Sequence, residues 1–243
     1  MRLISAAALC LIAACTPITV PVDTASSSGE TAPVITPAAA TPPVSQRQAV
    51  NNFNLAKARI EPVAESICRQ RRPRTNCDFR ILVDDRRGLP ANAFQTLDQN
   101  GRPLIVFTLP LIADARNADE IAFVMAHEAA HHIEGHIARQ QTNATLGALV
   151  VGSLAGALGV TDAQSIDTAT RVGATVGART YSKSFELEAD ALGTRIADAA
   201  GFDPLRGAQF FFRIPDPGNR FLGTHPPNAD RLRTVQSVAA SLN

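Results

Sequence analysis

The chain has no surplus of charge: 23 Lys and Arg stand against 22 Asp and Glu, and removing Arg2 with an N-terminal leader leaves 22 of each. Such a balance gives no electrostatic footprint for nucleic acid and no field that would gather acidic substrates. Beyond the leader the chain also lacks a charge-free apolar run of the roughly 20 residues that a membrane-crossing helix needs. Residues 144–160 come nearest, as a stretch of Ala, Gly, Leu and Val, but they are short, glycine-rich and without aromatic or cationic flanks. They read as small-residue helices packed against the helix that carries the histidine motif, with Gly152, Gly156 and Gly159 allowing close approach. A membrane hairpin and a mobile lid are the other readings. Cysteine is scarce as well: of four, only Cys68 and Cys77 lie beyond the N-terminal region. No other Cys or His is near them, which disfavours a metal site. An even pair in an oxidising compartment reads instead as a disulfide closing a short loop.

What the chain does contain is His127-Glu128-Ala129-Ala130-His131. On a helix, residues four apart share a face, so both imidazoles can reach one metal ion. Glu128, beside the first imidazole, is placed to act as a general base on a water. Composition alone produces this pattern roughly once in tens of thousands of residues. Its flanks read as a helix. Asn117 is an N-cap with Glu120 three residues on, Asp119 and Glu120 suit the positive helix end, and Ile121, Val124 and Met125 follow at helical spacing. No proline or glycine appears before Gly135, so the spacing predicts one helix over 117–140. The alternative, a core helix whose histidines merely hydrogen-bond their neighbours, is poorly served by His-Glu-His-His within one turn.

A catalytic zinc takes a third protein ligand and keeps one open position. In the metzincin pattern glycine would stand at 134 and histidine at 137, whereas the chain has Glu134 and Ile137. That class is excluded, and His136 is one residue off register. Phe185-Glu186-Leu187-Glu188-Ala189-Asp190 is the better source. Glu186 and Asp190 share a helical face, so one carboxylate can bind metal while the other orients a ligand imidazole. Glu188 falls on another face and reads as solvated. His132 and His136 are also four apart, but no nearby carboxylate completes a site with them, so they read as exposed.

His127-Glu128-x-x-His131, Gly135-His136, Glu186-x-x-x-Asp190-x-x-Gly193 and His225-Pro226-Pro227 with Arg231 together resemble the HtpX/CAAX-prenyl-protease family of gluzincins. Tyr181-Ser182 and Asn92-Ala93-Phe94 match as well, and the resemblance covers roughly residues 50–240. It implies one Zn2+ per chain held by His127, His131 and Glu186, with Glu128 as base and Asp190 behind a ligand. Lys183 departs from the family's usual arginine and would alter a bidentate contact there. The resemblance also implies an α+β fold, a mainly helical domain whose small sheet borders the cleft and pairs with extended substrate. His225, before Pro-Pro in a loop, reads as structural on its own. In the family such a histidine approaches the zinc, as a fourth ligand at rest or as a donor to substrate, so His225 is expected to stabilise the oxyanion or to plug the site. Arg231 is expected to anchor its loop through a carboxylate.

The N-terminus places this chemistry. Met1-Arg2 and an apolar run to Ala14 form a secretory signal, and Ile12-Ala13-Ala14-Cys15 resembles a bacterial lipobox. Cys15 is then the lipidated first residue, and Thr16 after it favours the outer membrane. An ordinary signal peptide with an incidental Cys15 is the alternative. The expected division is a leader over 1–14, a lipidated, disordered tether over 15–45, and a metallopeptidase domain over 46–243. Within the domain a helix is expected over 46–70, kinked at Pro62. Strands are expected at Phe79–Val83, Phe94–Leu97 and Leu104–Thr108, the last two joined as a hairpin at Asn100-Gly101. The implied function is hydrolysis of misfolded or unassembled envelope proteins in the periplasm, with envelope assembly machinery as a partner. Two rivals remain: an envelope chaperone or assembly factor with a silent or gated zinc site, and a lipoprotein that keeps the fold without metal. Glu128 speaks against both.

Overall fold

Ser45 opens the first helix by accepting a hydrogen bond from the Gln48 amide at 3.2 Å. In the computed structural model, which describes residues 42–180, 182–214 and 226–242, that helix is α1, Gln46–Arg71. It runs through Pro62, although the missing N–H forfeits one intrahelical bond. Three strands follow, β1 (Arg80–Asp84), β2 (Ala93–Leu97) and β3 (Pro103–Thr108). After a short α2 (Leu109–Asp114) come α3 (Ala118–Glu134), α4 (His136–Ala157), α5 (Ala163–Thr180) and α6 (Ser182–Ala199). A single turn, α7 (Pro204–Gly207), a 3-10 segment at Ala208–Phe212 and α8 (Asn228–Ala240) complete the described chain. The fold is α+β and mainly helical. Cys15, Tyr181 and His225 lie outside the described residues, as do the leader and most of the tether.

The sheet has β3 at its centre, parallel to β1 and antiparallel to β2, in the order β1-β3-β2. Asp98 organises the β2–β3 turn, its Oδ1 accepting from the amides of Asn100 at 2.8 Å and Arg102 at 2.9 Å. Ile105 and Phe107 turn inward, and Phe107 meets Phe53 of α1 edge-to-face at 5.5 Å. Among the described residues β2 has a partner on its β3 side only, so its other edge is open toward α3. The core joins α1, α3, α6 and the sheet. The small residues Ala122, Ala126, Ala129 and Ala130 let these helices approach α3 closely. A disulfide between Cys68 and Cys77 ties the end of α1 to the chain entering β1.

Two expectations are corrected. The helix over 117–140 is two helices, because Gly135 adopts φ 71° and ψ 33°, ending α3 in the left-handed region and opening α4 at the next residue. Residues 144–160 do not pack on the histidine helix. They form most of α4, whose main neighbour is α5. A Cβ on Gly147 would lie 2.1 Å from the Gly173 carbonyl oxygen, and one on Gly177 would lie 2.1 Å from that of Asn143, so this crossing admits only glycine. Gly156 and Gly159, expected at a close contact, have nothing within 4 Å of a built Cβ. No helix among the described residues is long and apolar enough to cross a membrane.

Candidate metal centre

Helix α3 is fixed at its start. Asn117 accepts from the Glu120 amide at 3.0 Å, while the Glu120 carboxylate reaches back to the Arg116 amide at 2.8 Å, one residue before the cap. Buried Glu120 also pairs with Arg213, whose Nη1 donates to Oε1 at 2.8 Å. Two turns further along α3, His127 and His131 bring their Nε2 atoms to 3.0 Å. From α6, Glu186 places Oε2 at 3.5 Å from His127 Nε2 and Oε1 at 3.4 Å from His131 Nε2. Three ligands around 2.0–2.2 Å from a tetrahedral zinc stand roughly 3.3–3.5 Å apart. The spacing fits that ion, as does a donor set of two imidazoles and one carboxylate, and all three donors lie within 4.8 Å of one another. Helix α6 is seated hard against this segment: a Cβ on Gly193 would lie 3.0 Å from the His127 backbone nitrogen.

Behind His127 stands fully buried Asp190, with Oδ1 at 2.9 Å from Nδ1. An ionised carboxylate only accepts, so His127 carries a hydrogen on Nδ1, and Nε2 is the ring atom that faces the cluster. Asp190 also accepts from Arg231 of α8, through Nε and Nη2, both at 2.7 Å. Burial pushes the Asp190 carboxyl up, but Arg231 and then His127 outweigh it and hold it below the usual range. Arg231 stacks over Phe211 at 4.0 Å, and its Nη2 lies 3.8 Å from Glu186 Oε2. That same Nη2 is 3.3 Å from His127 Nδ1, where a donor meets a donor, so it is a contact and not a hydrogen bond.

The facing imidazoles cannot both be charged. Burial opposes a charge on His127, but its hydrogen bond to Asp190 and the Asp190 charge push it up to about 10. Burial first, then the neighbouring His127 charge, hold His131 down to about 3. The protein alone thus keeps one proton on the pair, in a place where a metal cation would fit. Burial also raises the Glu128 carboxyl, against the pull of His127. Glu128 lies half-buried in the cavity wall with His127 and Glu186, opposite Asn92 and Ala93. The same cleft continues past Phe94 and Gln95 of β2 to His131.

Sequence reading misplaced two side chains, His132 and His136, and missed the partners of a third, Glu188. His132 is buried, with Nε2 at 2.7 Å from the Asn76 carbonyl oxygen and its ring edge-on to Phe79. His136 is buried as well, and Glu188, expected in solvent, binds both it and Arg139. The signal for this group was Gly135, whose left-handed turn re-aims the residue after it.

Comparison with known proteins agrees with this geometry. A Vibrio cholerae protein is 36% identical over 135 residues, 50% of this chain and 28% of the relative. The beta-barrel assembly-enhancing protease of Escherichia coli O157:H7 is 32% identical over 162 residues, 61% of this chain and 32% of the relative. That of Yersinia pestis is 29% identical over 178 residues, 68% of this chain and 35% of the relative. The chain thus spans about a third of the length of the curated relatives it matches. Residues 54–239 match the profile of peptidase family M48, and the chain belongs to that family of metallopeptidases.

Proposed function

We propose that the chain is a zinc-dependent endopeptidase of the bacterial cell envelope that cuts misfolded or unassembled polypeptides. The carrying observation is the placement of Glu128 beside the three clustered donors, in a cleft whose other wall is the open edge of β2. In this reading His127, His131 and Glu186 hold one zinc ion, and Asp190 with Arg231 fixes the His127 tautomer. Zinc in such a set supplies Lewis-acid polarisation of the scissile carbonyl and an acidified water. An extended substrate adds to the β2 edge through main-chain hydrogen bonds, which gives affinity with little reading of sequence. Glu128 takes a proton from the attacking water as the new C–O bond forms. It returns a proton to the leaving nitrogen as the C–N bond breaks, and its raised pKa suits both transfers. His225 serves as a donor to the developing oxyanion or closes the resting site.

The division into a leader over 1–14, a tether over 15–45 and a catalytic domain over 46–243 belongs to the same proposal. Cys15 carries the lipid anchor and the domain faces the periplasm from the outer membrane. The relatives' name, beta-barrel assembly-enhancing protease, supports an envelope setting and a link to assembly machinery. The test is cleavage of unfolded casein by the wild type beside Glu128→Gln, with zinc content measured in both. Zinc in both with cleavage by the wild type alone is expected. Zinc in both with no cleavage by either would overturn the peptidase reading in favour of a chaperone or assembly role.

A further inference from the structure

We infer that His136, Glu188 and Arg139 form a second positioning chain, which holds His131 toward the metal as Asp190 and Arg231 hold His127. The inference rests on the zinc assignment proposed above. His131 Nδ1 lies 2.8 Å from His136 Nδ1, so one of the two nitrogens donates and the other accepts. His136 Nε2 lies 3.2 Å from Glu188 Oε2, and a carboxylate accepts, so the hydrogen of a neutral His136 sits on Nε2. His136 Nδ1 is then the acceptor, and His131 donates from Nδ1. That leaves the His131 lone pair on Nε2, the atom already 3.0 Å from His127 Nε2 and 3.4 Å from Glu186. One pattern therefore gives each ligand imidazole a partner at Nδ1, satisfies both nitrogens of His136, and turns the two Nε2 atoms to the same point.

The chain is anchored at its far end. Arg139 grips Glu188 through both oxygens, with Nη2 at 3.2 Å from Oε1. The His136 ring stacks on Phe185 at 4.6 Å and 9° between planes, and the Arg139 guanidinium lies 4.2 Å from the same ring. Phe185 directly precedes Glu186, so the stack braces α4 against the helix supplying the third donor. None of this follows from a continuous helix. His136 is the first residue of α4, re-aimed by the left-handed Gly135, and Glu188 comes from 52 residues away. A carboxylate behind a ligand imidazole raises its basicity and fixes its tautomer, and losing such a partner typically costs roughly 10–100-fold in metal affinity.

The test is zinc affinity of the full chain, by competition with a chromophoric chelator, supported by the visible spectrum of the cobalt-substituted protein. His136→Phe keeps a ring over Phe185 but removes the acceptor, whereas His136→Asn places an amide oxygen near the Nδ1 position. The expected result is a loss of roughly 10–100-fold in His136→Phe with an altered cobalt spectrum, and near wild-type affinity in His136→Asn. Wild-type affinity in His136→Phe, or an equal loss in His136→Asn, would overturn the inference in favour of simple packing. Should His136→Phe fail to fold, Glu188→Ala decides, since that side chain is 39% exposed. Weaker zinc binding supports the chain, and unchanged binding overturns it. Absence of zinc from the wild type would instead defeat the zinc assignment itself.

Discussion

Replacing Asp190 with asparagine separates charge from shape at a fully buried carboxylate. Asp190 is completely buried and accepts three hydrogen bonds, two from Arg231 at 2.7 Å and one from His127 at 2.9 Å. Asparagine keeps the volume but offers one acceptor oxygen and turns an N–H2 toward at least one donor. Arg231, itself 7% exposed, then keeps its charge without its main partner. Breaking a buried pair by removing one partner costs about 3–5 kcal/mol. For a domain of this size that is a fall of about 6–20 °C in Tm. The nearest remaining carboxylate is Glu186 at 3.8 Å, so Arg231 would draw a metal ligand toward itself and zinc affinity would fall along with stability. Differential scanning calorimetry and chelator competition measure the two losses. A Tm within about 2 °C of wild type together with unchanged zinc affinity would refute the reasoning, because less than about 1 kcal/mol would then reside in the pair.

The same residue sets an acid limit. Its carboxyl pKa is lowered in the folded state, so its stabilisation is complete above the unfolded value of about 3.9 and is lost as pH falls through the lower folded value. Denaturant melts below about pH 4 should show a steep loss in wild type that Asp190→Asn lacks. Zinc binding should release a proton, because the metal-free protein keeps one on His127, whose pKa is pushed up to about 10. The logarithm of apparent zinc affinity should therefore rise by about one per pH unit between about pH 7 and 9, checked by calorimetry in buffers of different ionisation enthalpy. Gly193→Ala would set a methyl 3.0 Å from the His127 backbone nitrogen and 3.1 Å from its Cα. The strain of about 1–3 kcal/mol, offset by about 1 kcal/mol of helix propensity, should lower Tm slightly and zinc affinity clearly. Removing the Cys68–Cys77 bridge by a double change to serine should cost about 2–3 kcal/mol for its short loop, read by urea denaturation with the zinc site intact.

Local pattern carried much of the fold. Ser45 and Asn117 marked helix starts, and Asn100-Gly101 marked the hairpin, because caps and tight turns are decided within a few residues. The parallel pairing of β1 with β3 had no such local signal, since it depends on a crossover. The motif helix was over-extended for a physical reason: helical periodicity continues through residue 140, and only the backbone angles at Gly135 break it. That break hid the His136 group. On an unbroken helix His136 points away from His131, and its carboxylate partner lies on another helix. The small-residue stretch was recognised, but its partner was not. Glycines allow close approach to any helix, and the matching glycines at 173 and 177 become visible only once α4 and α5 fold back on each other. Arg231 was expected to meet a carboxylate. Its stacking on Phe211 and its closeness to His127 depend on α8 returning across α6, which no spacing in the chain encodes.

The most direct test of the central claim is anomalous diffraction at the zinc edge from crystals of the zinc-loaded protein. The expected result is a single strong peak at about 2.0–2.2 Å from His127 Nε2, His131 Nε2 and a Glu186 carboxylate oxygen. A peak on other side chains, or none at this position with zinc in excess, would contradict it.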